Sequence, residues 1–253
     1  MPIIGENIVE TANILGVRFN AITLDDAVDA AMERIRAGEK GYVVTPNSEI
    51  VYLCRKEPAL TALLNRACLV LPDGIGVVYA ARLLKQPIKG KVAGIDFAEH
   101  LVAQMAREGK SIFFLGAKPG IAELAAKELQ KKYPGLVVKG CRDGYYKDDQ
   151  EAIDAINQAG GADVALICLG APKQERFMAA YQGQVNATIL CGLGGSLDVF
   201  AGTVQRAPDI FIKLGLEWFY RLLKEPKRIG RMMSLPKFML VVLKTKLFGK
   251  GAK

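Results

Sequence analysis

Asp73 lies in the run LPDGIG, directly after a short apolar stretch and before two glycines. A carboxylate there, with backbone space around it, can take a proton from a hydroxyl nucleophile. It can equally cap the helix that begins near Gly74, and the local residues leave both roles open. Thr45 and Asn47, in TPNSEIV, begin 28 residues before Asp73. Their short polar side chains suit hydrogen bonds to a sugar, although Thr-Pro-Asn also opens a helix through a fixed turn. Gly116 in FLGAKPG and Gly170 in LGAPKQE each follow an apolar run and precede a helix start. Such turns aim backbone N–H groups and a positive helix end at a phosphate. They also arise wherever a tight turn needs a glycine. Gln174 and Glu175 follow Gly170 in what reads as a first helical turn, where the helix dipole favours Glu anyway.

What is missing narrows the chemistry. Neither glycine turn matches the G-x-G-x-x-G dinucleotide fingerprint or the G-x-x-x-x-G-K-[ST] phosphate loop. This argues against a nicotinamide enzyme or an NTPase. The one histidine, His100, sits among Phe97, Leu101 and Val102 in a helical stretch and reads as structural or surface. The five cysteines, Cys54, Cys68, Cys141, Cys168 and Cys191, include no Cys-x-x-Cys pair, so a zinc site is not expected and reduced core thiols are. No two aspartates stand two apart; Asp25-Asp26 and Asp148-Asp149 read as solvated helix starts. An enzyme that expels a diphosphate without an Asp-x-Asp clamp must supply positive charge from side chains and helix ends.

The elements that would position these residues alternate along the chain. Short apolar strands are expected from Gly41, Cys68, Ser111, Gly135, Asp163 and Ala187. Helices are expected near 48–66, 74–84, 94–109, 119–133, 148–159 and 172–182, after a first one opened by Thr23 with Asp26 three residues on. Continuous apolar strands between helices imply a parallel sheet covered on both faces, an α/β Rossmann-like core. In such a sheet ligands bind at the carboxyl ends of the strands, where the turns carrying Thr45, Asp73, Gly116 and Gly170 fall.

The charge of +8 is not spread evenly over the 253 residues. Residues 1–202 carry 22 basic and 23 acidic side chains, and residues 203–253 carry 12 and 3. We therefore divide the chain into a catalytic core, 1–202, and a basic helical appendage, 203–253. The appendage reads as one helix over 207–224, broken by Glu225-Pro226, and another from Ser234. The last has an apolar centre, Phe238 to Leu243, flanked by Lys237, Lys244, Lys246 and Lys250, the pattern of a helix lying in a membrane interface. No run reaches the roughly 18 apolar residues of a spanning helix. The N-terminus does not read as a signal peptide, so a cytoplasmic protein held peripherally at the inner face of the cell membrane is expected.

TPNSEIV, PDGIGVV, KVAGIDF, LGAPKQE, GLGGSLDVFAGTVQRAP and GLEWFYRLLKEPKRIGR, in this order, resemble the WecG/TagA/CpsF glycosyltransferases (glycosyltransferase family 26), with the TagA-type N-acetylmannosaminyltransferases nearest. The likeness runs from about residue 13 to 232. It implies the GT-E variant of the Rossmann-like fold and a metal-independent, inverting transfer with no cofactor. The donor it implies is a UDP-sugar, in particular UDP-N-acetylmannosamine. The acceptor is N-acetylglucosamine on undecaprenyl diphosphate, in the synthesis of wall teichoic acid or another cell-surface polysaccharide. Carried over by motif, Asp73 is the proposed base and Thr45 joins it as catalytic. Asn47, Lys91, Asp96, Gly116, Gly170, Gln174, Glu175 and Arg206 are expected to bind substrate. Arg221, Arg228 and Arg231 match appendage arginines that close over the site. Lys91 replaces an Arg common in relatives, and a lysine cannot grip a diphosphate with a bidentate fork. Leu197 and Phe97 are further departures that read as core exchanges.

The partners expected are thus the donor, the lipid-linked acceptor and an anionic membrane surface, with self-association left open. A non-catalytic module binding nucleic acid or lipid is the competing class. Trp218, Phe219 and Tyr220 would then form a contact surface. Their helical spacing beside Leu216 and Leu222 favours packing instead, and no nucleic-acid partner is expected.

Overall fold

A computed structural model of the chain describes residues 3–4, 7–8, 10–224, 226 and 229–248. Two short strand pairs precede the core: β1 (Ile3–Ile4) with β2 (Asn7–Ile8), and β3 (Thr11–Ile14) with β4 (Val17–Asn20), both antiparallel. The second hairpin is not among the expected elements. Its two-residue turn, Leu15-Gly16, has positive φ at both positions, and Asn13 Oδ1 accepts the Gly16 N–H at 2.8 Å. This is the twist-matched hairpin turn, made here without the Asn-Gly pair that usually announces it.

The core then runs α1 (Leu24–Ala37), β5 (Gly41–Val44), α2 (Ser48–Cys54), α3 (Pro58–Asn65), β6 (Leu69–Val70), α4 (Ile75–Leu84), α5 (Gly94–Arg107), β7 (Ser111–Gly116), α6 (Ile121–Lys132), β8 (Val137–Arg142), α7 (Asp149–Gln158), β9 (Ala162–Cys168), α8 (Lys173–Tyr181), β10 (Ala187–Gly192) and α9 (Ser196–Phe200). Thr23 and Asp26 form a reciprocal capping box at the start of α1, as their spacing suggests. The single helix expected over 48–66 is two. Pro58 lacks an N–H and suits a first turn, so the chain breaks after Cys54 and restarts.

Six strands form one parallel sheet in the order β6-β5-β10-β9-β7-β8. All carboxyl ends therefore share one edge. The chain builds outward to β6, jumps to β7 and β8, then returns to fill the centre with β9 and β10. Alternate strand residues point to opposite faces. Val43, Phe114, Leu166 and Ile189 pack with α1, α5, α6 and α9. Val44, Leu115, Ile167 and Leu190 pack with the hairpin and α2, α3, α4, α7 and α8. This is the two-faced α/β layering expected. All five cysteines are free thiols.

The appendage follows as α10 (Asp209–Lys213), α11 (Glu217–Lys224), α12 (Ile229–Met232) and α13 (Ser234–Phe248). The helix expected over 207–224 is broken at Gly215, whose φ is +71° and which lies against Ile75 of α4. A side chain there would meet Ile75 at 2.9 Å, so this glycine both turns the chain and lets it approach the core. Phe211 packs on Tyr220 and Trp218 on Phe219, so the tail aromatics contact one another. Helix α13 lies on α2 and α4, with Phe238 and Val242 fully buried, and the appendage is docked. Among the described residues no helix is long and apolar enough to cross a membrane.

Candidate active site

The carboxyl edge of the sheet gathers the turns that the sequence singles out. At its centre β10 ends in Gly192, followed by Leu193 and Gly194, between the ends of β5 and β9. Thr45, at the end of β5, is 8% exposed, and its Oγ1 donates to the Gly192 carbonyl at 3.1 Å. The first turn of α5 presses on the same hydroxyl, for a Cβ on Gly94 would lie 3.0 Å from Thr45 Oγ1. Thr45 thus pins β10 to β5 at the carboxyl edge of the sheet, the floor of the candidate site.

Asn47 caps α2. Its Oδ1 accepts the N–H groups of Glu49 at 3.0 Å and Ile50 at 3.1 Å. The neighbouring turn, Pro72-Asp73-Gly74, follows β6. The helix cap there is Gly74, with φ +86°, so Asp73 stands one residue before the cap of α4 and is half-buried. The position a Gly74 Cβ would take is 3.8 Å from Asn47 Cβ, which brings the Asn47 and Asp73 turns side by side. The Pro72 carbonyl accepts the Val92 N–H at 3.0 Å and ties the loop carrying Lys91 to the same strand end.

On the other side of β10, the two phosphate-type turns differ. Gly116 has φ +130°, and a Cβ there would fall 2.3 Å from the Cys168 carbonyl oxygen. Close approach of β7 to β9 explains this glycine. Gly170 has φ +77°, with nothing within 4 Å of where a side chain would start, so its backbone faces open space. Ala171-Pro172 follows as a cis peptide, and Gln174 N–H returns to the Gly170 carbonyl at 3.0 Å. Gln174 is 3% exposed and its Oε1 accepts the Gly194 N–H at 2.9 Å. Its Nε2 donates to Glu175 Oε1 at 3.0 Å. Glu175 is 1% exposed, and burial raises its carboxyl above the usual carboxylate range.

Charge enters from above. Lys91 pairs with Glu217, the first residue of α11. Arg206 Nη1 pairs with Asp96 of α5 at 2.6 Å, and its Nε lies 3.9 Å from the other Glu217 oxygen. Lys91, Asp96 and Arg206, far apart in sequence, are thereby brought into one half-buried cluster. Glu217 is the residue that sequence reasoning passed over. Its signal was its sign, as one of three acids in a tail with 12 basic residues. Arg221 and Arg231 lie on α11 and α12, but their side chains, and Arg228 altogether, fall outside the described residues. His100 is half-exposed on α5, with Nδ1 3.8 Å from Asp25. Among the described residues no three His, Cys, Asp or Glu side chains gather as a metal-binding group.

This edge offers a carboxylate beside polar helix caps, an open glycine turn and two cations held by a carboxylate. Residues 12–252 match the model of the Glycosyl transferase WecG/TagA/CpsF family. The chain is also similar to two proteins called N-acetylglucosaminyldiphosphoundecaprenol N-acetyl-beta-D-mannosaminyltransferase. One, from Bacillus spizizenii, is 39% identical over 80% of this chain and 79% of the relative. The other, from Staphylococcus aureus, is 35% identical over 95% of each.

Proposed function

Because the chain belongs to the WecG/TagA/CpsF family of glycosyltransferases, we propose that it moves N-acetylmannosamine, or a related hexosamine, from its UDP-sugar to N-acetylglucosamine on undecaprenyl diphosphate. The product would serve wall teichoic acid or another cell-surface polysaccharide. The names of both relatives state the transferred N-acetylmannosamine and this lipid-linked acceptor. The observation that carries the reading is the placement of a half-buried Asp73 beside Asn47 at the end of β6, across the strand ends from the open Gly170 turn.

In this reading Asp73 takes the proton from the acceptor hydroxyl as that oxygen attacks the anomeric carbon. The bond to the UDP oxygen breaks on the opposite face, and one displacement inverts the centre. Lys91 and Arg206 meet the departing diphosphate, and a cationic pair there stabilises charge that grows in the transition state. The arginines Arg221, Arg228 and Arg231 add to that field from the appendage. No Asp-x-Asp pair exists in the chain to hold a metal for this task, and the reading is metal-independent. Thr45 acts by holding the floor, and Gly116 and Gly170 border the nucleotide.

The membrane partner is assigned to α13. Leu240, Leu243 and Leu247 are exposed along one side, beside Lys237, Lys244 and Lys246. Each such lysine near an anionic bilayer contributes about 1 kcal/mol, and the apolar stripe is the second anchoring signal.

The deciding experiment follows UDP release with UDP-N-acetylmannosamine and a short-chain prenyl-diphosphate N-acetylglucosamine, in EDTA. Acceptor-dependent release is expected. Release only with another UDP-sugar would change the donor, and release that needs a divalent metal would overturn the metal-independent mechanism.

A further inference from the structure

Gln174 and Glu175 are both buried, and their hydrogen bonds form a directed chain. Glu175 Oε1 accepts from Gln174 Nε2 at 3.0 Å, and Gln174 Oε1 accepts from the Gly194 N–H at 2.9 Å. A primary amide can turn over and exchange its donor and acceptor at almost no change in shape. Turned over here, Nε2 would face the Gly194 N–H, donor against donor. The acceptor that Glu175 presents selects the productive orientation. The amide lies close against the end of β10, since a Cβ on Gly192 would lie 3.1 Å from Gln174 Nε2. What the chain holds is the turn at the centre of the cleft. Gly194 has φ +55° and nothing within 4 Å of where its side chain would begin, so the outer side of that turn is open to a ligand.

Resting on the transferase reading above, we propose that Glu175 is a positioning residue of the sugar transfer. It acts through the Gln174 amide to fix the 192–195 turn in the conformation that receives the substrate. The second Glu175 oxygen, Oε2, is buried without a hydrogen-bond partner. An unpaired ionised oxygen would be costly there, and a proton on Oε2 leaves Oε1 as the acceptor. The upward pull of burial on this carboxyl agrees. In either protonation state Oε1 remains the acceptor for the Gln174 amide, a task that a glutamine can also perform.

The test compares Glu175→Gln with Glu175→Met, which keeps the volume but offers no equivalent acceptor. Hydrogen exchange at the Gly194 amide is read in the protein alone, and kcat/KM in the transfer assay. Glu175→Met is expected to lower Gly194 protection at least tenfold and kcat/KM by about 10–100-fold, the scale of a misplaced catalytic framework. Glu175→Gln is expected to restore both to within about threefold of the parent protein. Adding Gln174→Met to Glu175→Met should cause little further loss, because both act through one amide. Unchanged Gly194 protection in Glu175→Met, equal damage in Glu175→Gln, or additive losses would overturn the proposal. Should Glu175→Met fail to fold, Gln174→Met must itself deprotect Gly194, and unchanged protection overturns the proposal in the same way. Exchange is measured without substrate, so a parent protein inactive with this donor and acceptor would fail the transferase reading while leaving the positioning link separately decided.

Discussion

The floor and the roof of the cleft are made differently. The floor consists of strand ends and the first turns of α5 and α8. Its hydrogen bonds, Thr45 to Gly192 and Gly194 to Gln174, run between core elements, and Thr45 and Gln174 are buried. The roof consists of a loop, Arg206 and the start of α11. Lys91, Arg206 and Glu217 meet there as half-buried ions, and Arg206 also reaches down to Asp96 of α5. Buried neutral hydrogen bonds hold position with little dependence on salt. Partly exposed ion pairs are weaker, screened and exchangeable. A floor of the first kind can keep reacting atoms in register, while a roof of the second kind can trade one anion for another. Glu217 occupies the cations that, in the reading proposed above, would meet the departing diphosphate.

Four changes would break or sharpen this contrast. The largest effect is expected of Asp73→Asn, which should cut turnover by about 10²–10⁴-fold, the usual contribution of a positioned general base, with the melting temperature nearly unchanged. Near-normal turnover would remove Asp73 from the mechanism. Next, Phe238→Ala should weaken the docking of α13 by about 3–5 kcal/mol, as expected for a buried aromatic, and open the appendage to proteolysis while the core stays folded. If the core melts with it, floor and roof are one cooperative unit. Third, Leu240→Ser with Leu247→Ser should lower partition onto anionic vesicles by about tenfold. Stability in solution should change by less than about 0.5 kcal/mol, since both side chains are exposed. The smallest effect belongs to Glu217→Gln. It should tighten UDP binding by about threefold in calorimetry and reduce appendage stability by less than about 1 kcal/mol. Weaker UDP binding would mean that Glu217 orders the cations instead of competing for them.

Much of the floor was readable because its signals are local. Apolar runs marked the six strands, and the turns after them carry Thr45, Asp73, Gly116, Gly170 and Gln174 in contiguous motifs. The roof was not, because its contacts join residues 91, 96, 206 and 217, and no local period links those positions. Lys91 and Arg206 entered through the family resemblance, and Glu217 did not enter at all. The hairpin escaped for another reason. Leu15 takes a left-handed conformation that leucine rarely adopts, and its preference gave no warning. The break before Pro58 was legible and went unread.

Helix α13 turns two apolar faces in different directions. Phe238 and Val242 are committed to α2 and α4, and Leu235 lies against Gly76 in the first turn of α4, two residues past the Asp73-Gly74 turn. Only the outer stripe remains for any second apolar phase. A helix so divided can lie on a bilayer but cannot sink into it without undocking. The membrane attachment proposed for it would be a partition equilibrium, with residence set by the outer leucines and the charge of the lipid. A catalyst held in this way could search a surface in two dimensions and let go, and its site, tied to the same helix, would keep a constant height above the plane it searched.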